Sequence, residues 1–167
     1  FEFFRNRGII PWWAPEENRF NLWRPLTSLT LALDFTLWPD HPELVHIHSI
    51  LWFLLLIVLV SRFYNIFLRN QAIAGLALFL FVLDEVHSAA AGWICHRHIL
   101  VSMVFGVLCL LLYHKAKQER KSLLFLFTSY VAFLAALFAS EMGSLIFCYL
   151  IAYNLFLCGN SIKKKVT

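Results

Sequence analysis

Residues 44–60 read LVHIHSILWFLLLIVLV, an apolar run of 17 positions interrupted only by His46, His48 and Ser49 near its start. A helix needs about 20 apolar residues to cross a bilayer, and this run comes close without one Asp, Glu, Lys or Arg. Similar runs follow at 99–113, 122–140 and 142–158. A shorter one, 72–83, holds 12 apolar positions. At 1.5 Å per residue it covers about 18 Å of a hydrocarbon core about 30 Å thick, so its helix must extend toward Asn70 or into Asp84-Glu85-Val86-His87. The composition agrees: of 167 residues, 60% are hydrophobic, 17% aromatic and 14% charged, with mean hydropathy +0.71. A soluble domain carries about 25% charged residues, and a disordered chain has low hydrophobicity. Both classes are excluded. The expectation is an all-α integral membrane protein of about five transmembrane helices.

The segments between the runs carry an orientation signal. Arg62 and Arg69 follow the first run, Lys115, Lys117, Arg120 and Lys121 follow the third, and Lys163, Lys164 and Lys165 follow the last. These are nine of the 14 basic residues, and Glu119 is the one acid beside them. Basic loops stay on the cytoplasmic side. The reading is therefore a protein of the cell membrane with its basic loops and C-terminal tail in the cytoplasm. The other side holds nine of the ten acids and six of the seven histidines. The net charge of +4 is explained by this asymmetry, and no nucleic-acid partner is expected. Cys95, Cys109, Cys148 and Cys158 form no CxxC pair, which argues against a disulfide framework or a zinc knuckle.

Three regions result: an extracytoplasmic or interfacial segment over 1–43, a helical bundle over 44–158, and a basic tail over 159–167. The chain opens on Phe1 and has no basic segment leading into an apolar core, so no signal peptide is expected and the chain reads as part of a longer protein. Ile10-Pro11-Trp12-Trp13-Ala14-Pro15 suits a headgroup boundary. After Pro25, the spacing of Leu22, Leu26, Leu29, Leu33 and Leu37 predicts an amphipathic helix lying on the outer surface, with Thr27, Thr30 and Asp34 on an adjacent face.

Ionisable residues near a membrane are functional candidates. Arg24 opens the amphipathic helix, and His46 and His48 open the first run. Asp84, Glu85 and His87 close the second run, His96-Arg97-His98 precede the third, and Glu141 lies between the last two. Two histidines two positions apart point about 200° apart on a helix, and Arg97 separates the other pair, so no metal site is expected. No serine sits in a GxSxG context. Arg24 and Arg97 are fork-shaped donors suited to a lipid-linked phosphate, with acids beside them for proton transfer.

Three blocks carry a family resemblance. They are Trp23-Arg24-Pro25-Leu26-Thr27-Ser28-Leu29 followed by Leu33-Asp34-Phe35 and His46, the stretch from Leu80 to Arg97 containing Asp84-Glu85-Val86-His87, and Ala139-Ser140-Glu141-Met142. In this order the chain resembles the polytopic GT-C glycosyltransferases, in their TMTC-like and bacterial O-glycosyltransferase branches. Asp84 and Glu85 stand where the family has His and Pro, and Ser140 where it has Lys. The resemblance implies sugar transfer from a polyprenyl-phosphate donor on the extracytoplasmic face, with no further cofactor. It implies Arg24, Arg97 and His46 for substrate binding, and His87 and Glu141 for catalysis. The alternative is a noncatalytic accessory subunit derived from that fold, packing its aromatic helices against membrane lipids and other transmembrane subunits.

Overall fold

The computed structural model describes residues 23–85, 92–118 and 122–158, and every regular element among them is helical. Helix α1 (Pro25–Leu37) and helix α2 (Pro42–Phe67) each carry a proline in the first turn, where a missing N–H leaves no bond unmade. Helix α3 (Gln71–Leu83) is capped by Asn70, whose side chain accepts from the Ala72 N–H. A 3-10 turn, Ile94–His96, leads into helix α4 (Arg97–Gln118). Helix α5 (Ser122–Ala139) ends at Ser140, which is extended and caps the 3-10 turn Glu141–Ser144. Helix α6 (Leu145–Tyr153) then continues into a π-helical turn, Asn154–Cys158.

Helix α4 is central. One of its faces presents Leu100 and Val104 to Leu56 and Val60 of α2, with Leu78 and Phe81 of α3 at the margin. The opposite face presents Cys109 to Ala132 and Ala136 of α5 and to Ile146 of α6. Small residues let α4 and α5 approach closely. Their hydroxyls bridge the helices: Ser102 Oγ donates to the Ala136 carbonyl (3.0 Å), and Ser129 Oγ to the Cys109 carbonyl (3.0 Å). Helix α1 lies against α5, α2 and α4 at one end of the bundle. At the other end Phe67, His114 and Tyr153 tie α2, α4 and α6 together.

Two of these helices, α2 and α4, are long and apolar enough to cross a membrane, rather than the five expected. Their 26 and 22 residues correspond to about 39 and 33 Å. The other apolar helices are shorter. The physical reasons are local. Helix α3 stops at Leu83 because Asp84 turns extended. The run over 142–158 is divided among a 3-10 turn, nine α-helical residues and a π turn. Helix α2 runs beyond its expected end, so Arg62 belongs to it and not to a loop.

The leucine stripe of α1 faces outward: Leu29, Leu33 and Leu37 are 57%, 52% and 63% exposed, whereas Thr27 and Asp34 are 4% and 1% exposed. The helix is docked by its polar side. Elsewhere leucines and phenylalanines also cover the outside, while Arg97, Asp34, Ser49 and Ser140 are buried together with Leu56, Leu100 and Val101.

Candidate functional site

The polar residues that α1 buries meet two clusters. The first is buried at Asp34 and Arg97 and reaches the surface at His48. Asp34 comes from the last turns of α1, and Val45, His48, Ser49 and Trp52 share one face of α2 at helical spacing. Arg97 enters as the first residue of α4. Its fork meets three acceptors: Nη1 donates to Asp34 Oδ2, Nη2 to the Val45 carbonyl (2.6 Å) and Nε to Ser49 Oγ (3.0 Å). The side chain is fully buried, as is that of Asp34. A buried cation at a helix N-terminus is opposed by the positive end of the helix dipole, so the Asp34 carboxylate is what makes this placement tolerable.

The same carboxylate holds His48. His48 Nδ1 lies 2.6 Å from Asp34 Oδ1, and Trp52 Nε1 donates to His48 Nε2 (3.1 Å). An indole nitrogen can only donate, so Nε2 must be the bare nitrogen and Nδ1 must carry the proton. In this arrangement Nδ1 donates to Asp34. The Asp34 carboxylate thus joins the guanidinium of α4 to the imidazole of α2.

The second cluster is open. Arg24 caps the start of α1, and Glu141 begins the turn between α5 and α6. The two meet fork to fork: Nε donates to Oε2 (2.9 Å) and Nη2 to Oε1. The Arg24 side chain is 17% exposed and that of Glu141 53%. The Arg24 hydrogen bond is the main reason the Glu141 carboxyl is lowered to about 2, with nearby positive charge at Arg24 and His98 adding to it. The pair is thus ionised throughout the neutral range, and only strong acid discharges it. Between the clusters, Thr27 Oγ1 donates to the Ala139 carbonyl (2.9 Å). Arg24, Thr27 and Asp34 form one stripe along α1, and each docks on a different part of the bundle.

The expected site residues are thus distributed. Arg24, Arg97 and Glu141 lie at one end of the bundle, with Arg97 and Glu141 in separate ion pairs. His46 is exposed on α2, on the face away from the buried cluster. His87 falls outside the described residues. Asp34 was not singled out as a site residue in the sequence, and His48 was a candidate without a role; the polar stripe Arg24, Thr27, Asp34 was the available signal. Two apolar crevices flank the site region and the bundle. One of about 450 Å³ lies between α1 and α5 and is lined by Pro25, Leu29 and Phe138 among others. The other, about 440 Å³, lies between α4, α5 and α6 beside Cys109 and Ser129.

The fold and these clusters describe a helical protein with a buried ion pair beside its apolar cores, an apolar exterior and an arginine–glutamate pair open at one end. Comparison of the sequence finds similarity to the human protein O-mannosyl-transferase TMTC3, at 25% identity over 150 residues. The match covers 87% of this chain and 16% of that protein, so the chain spans about a sixth of its relative's length. No family model matches the chain, and no solved structure does.

Proposed function

We propose that the chain is part of a membrane-embedded glycosyltransferase that takes its sugar from a polyprenyl-phosphate donor. The observation that carries this reading is the similarity to the O-mannosyl-transferase. The two span-length helices and the apolar exterior support placement in a bilayer. In this reading the end bearing Arg24 and Glu141 faces the extracytoplasmic side, and the end bearing Lys115 and Lys117 faces the cytoplasm.

Arg24 is the residue suited to the donor phosphate. Its fork already grips two carboxylate oxygens, and a phosphate offers the same pair of acceptors. Glu141 and His87 are proposed to orient the phosphate or the acceptor. Arg97 acts at second hand: bound to Asp34, it fixes α1 and so the position of Arg24. The noncatalytic accessory reading draws on one observation, that both arginines are engaged by acids of the chain itself.

The test is transfer of radiolabelled mannose from polyprenyl-phosphate mannose to protein acceptors, in membranes containing the full-length gene product. Transfer is expected, reduced about a hundredfold by Arg24→Ala at matched expression. No transfer by a folded full-length protein overturns the enzymatic reading in favour of the accessory one.

A further inference from the structure

We propose that Glu141 is a built-in competitor for the anion site at Arg24, occupying the guanidinium fork in the absence of ligand and yielding it to a phosphate group. The inference rests on the reading of Arg24 as a phosphate donor-group ligand and adds to it how that site is kept closed.

The two partners differ in freedom. Arg24 is anchored by its place at the cap of α1, whose Thr27 and Asp34 are tied to α5, α2 and α4, and its side chain is largely covered. Glu141 sits on a 3-10 turn with half its side chain in the open. Its backbone stays in place when the side chain leaves, because the Glu141 carbonyl accepts from Ser144 Oγ (2.8 Å) and Ser140 caps the turn at the Met142 N–H (3.3 Å). Rotation of the Glu141 side chain breaks its two bonds to Arg24 and a long one from Ser140 Oγ (3.5 Å), and frees the fork. A carboxylate matches the fork with one charge and two oxygens. A phosphate monoester, the form the polyprenyl phosphate takes once its sugar has left, matches it with more charge and a third oxygen, so it displaces the carboxylate where a neutral ligand does not. The released Glu141 would stand beside the bound group.

The probes are farnesyl phosphate and inorganic phosphate, titrated separately onto the full-length protein in nanodiscs of neutral lipid. Folding of every variant is checked by its melting temperature. Glu141→Gln keeps the shape and a hydrogen bond but removes the competing charge. Binding to Glu141→Gln is expected to be about two- to fivefold tighter than to wild type, the range expected from losing a partly exposed ion pair. Arg24→Gln is expected to bind neither probe. Tightening with both probes, or with farnesyl phosphate alone, supports the proposal and identifies a free phosphate or a lipid headgroup as the ligand, respectively. Binding to Glu141→Gln equal to or weaker than wild type, with Arg24→Gln still defective, overturns the competitor role and leaves the Arg24 site standing. Wild-type binding by Arg24→Gln, or no binding by wild type, overturns the phosphate site and the proposal with it.

Discussion

Asp34 serves two partners at once, Arg97 through Oδ2 and His48 through Oδ1. That makes the buried pair asymmetric in its consequences. Removing either charge leaves the other buried without compensation, whereas removing both leaves a neutral site. Asp34→Asn and Arg97→Met are each expected to destabilise the protein by about 3–5 kcal/mol. The double variant should lie closer to wild type than the sum of the singles. Thermal unfolding in nanodiscs measures this as a double-mutant cycle, and additive losses would show that the two charges are not coupled. Replacement by lysine is no rescue for Arg97. A lysine keeps the charge but cannot present three donors in the planar fork that Asp34, Val45 and Ser49 fit.

Helix α1 owes its placement to four polar contacts, to Glu141, the Ala139 carbonyl, His48 and Arg97. It works as a strap across the ends of the longer helices. The strap depends in turn on the turn that presents Glu141, and that turn depends on a glycine. A Cβ at Gly143 would stand 2.5 Å from the Ala136 oxygen, 2.6 Å from its carbonyl carbon and 2.8 Å from the Leu137 nitrogen. All three are backbone atoms of α5 and cannot step aside. At Gly106 the added carbon would meet only the end of the Ile146 side chain, at 2.7 and 3.0 Å. Gly143→Ala is therefore expected to lower stability by about 1–3 kcal/mol and to loosen the strap. Gly106→Ala should be milder, because Ile146 can change rotamer. Unfolding midpoints together with amide exchange in α1 separate the two, and equal effects would contradict the close approach of the turn to α5.

On the scale of the molecule the polar and apolar surfaces are reversed relative to a protein that folds in water. Leu54, midway along α2, is 51% exposed, and Leu76 and Phe79 of α3 are 59% each. This predicts an outcome that differs in size from the soluble case. In water, a surface Leu→Asp substitution changes stability by less than about 0.5 kcal/mol. In a bilayer, Leu54→Asp at the middle of a span is expected to cost about 3 kcal/mol of insertion free energy. A reporter of membrane integration, such as glycosylation of engineered loop sites, reads the difference. Unchanged integration of Leu54→Asp would argue that α2 does not lie in lipid.

Much of this organisation was legible in the chain itself. The absence of charge over 44–60 and the prolines at 25 and 42 predict where α1 and α2 begin and that they are helices, because those signals act over a few residues. The same holds for the candidacy of Arg24, Arg97 and Glu141, since charged groups among apolar runs are conspicuous. Which side of α1 faces inward was not legible. Its leucine stripe has the spacing of a buried face in water, and only the neighbouring carbonyls, Arg97 and Glu141 reverse the preference by giving its polar side partners. His46 and His48 are likewise equivalent as letters. The tertiary structure separates them because His48 meets Asp34 whereas His46 is exposed among the described residues. Local sequence determined the helices and the stock of charges; the pairing of Asp34 with Arg97 and of Arg24 with Glu141 was decided by packing across 63 and 117 residues of chain, because an ion pair depends on distance in space and not along the sequence.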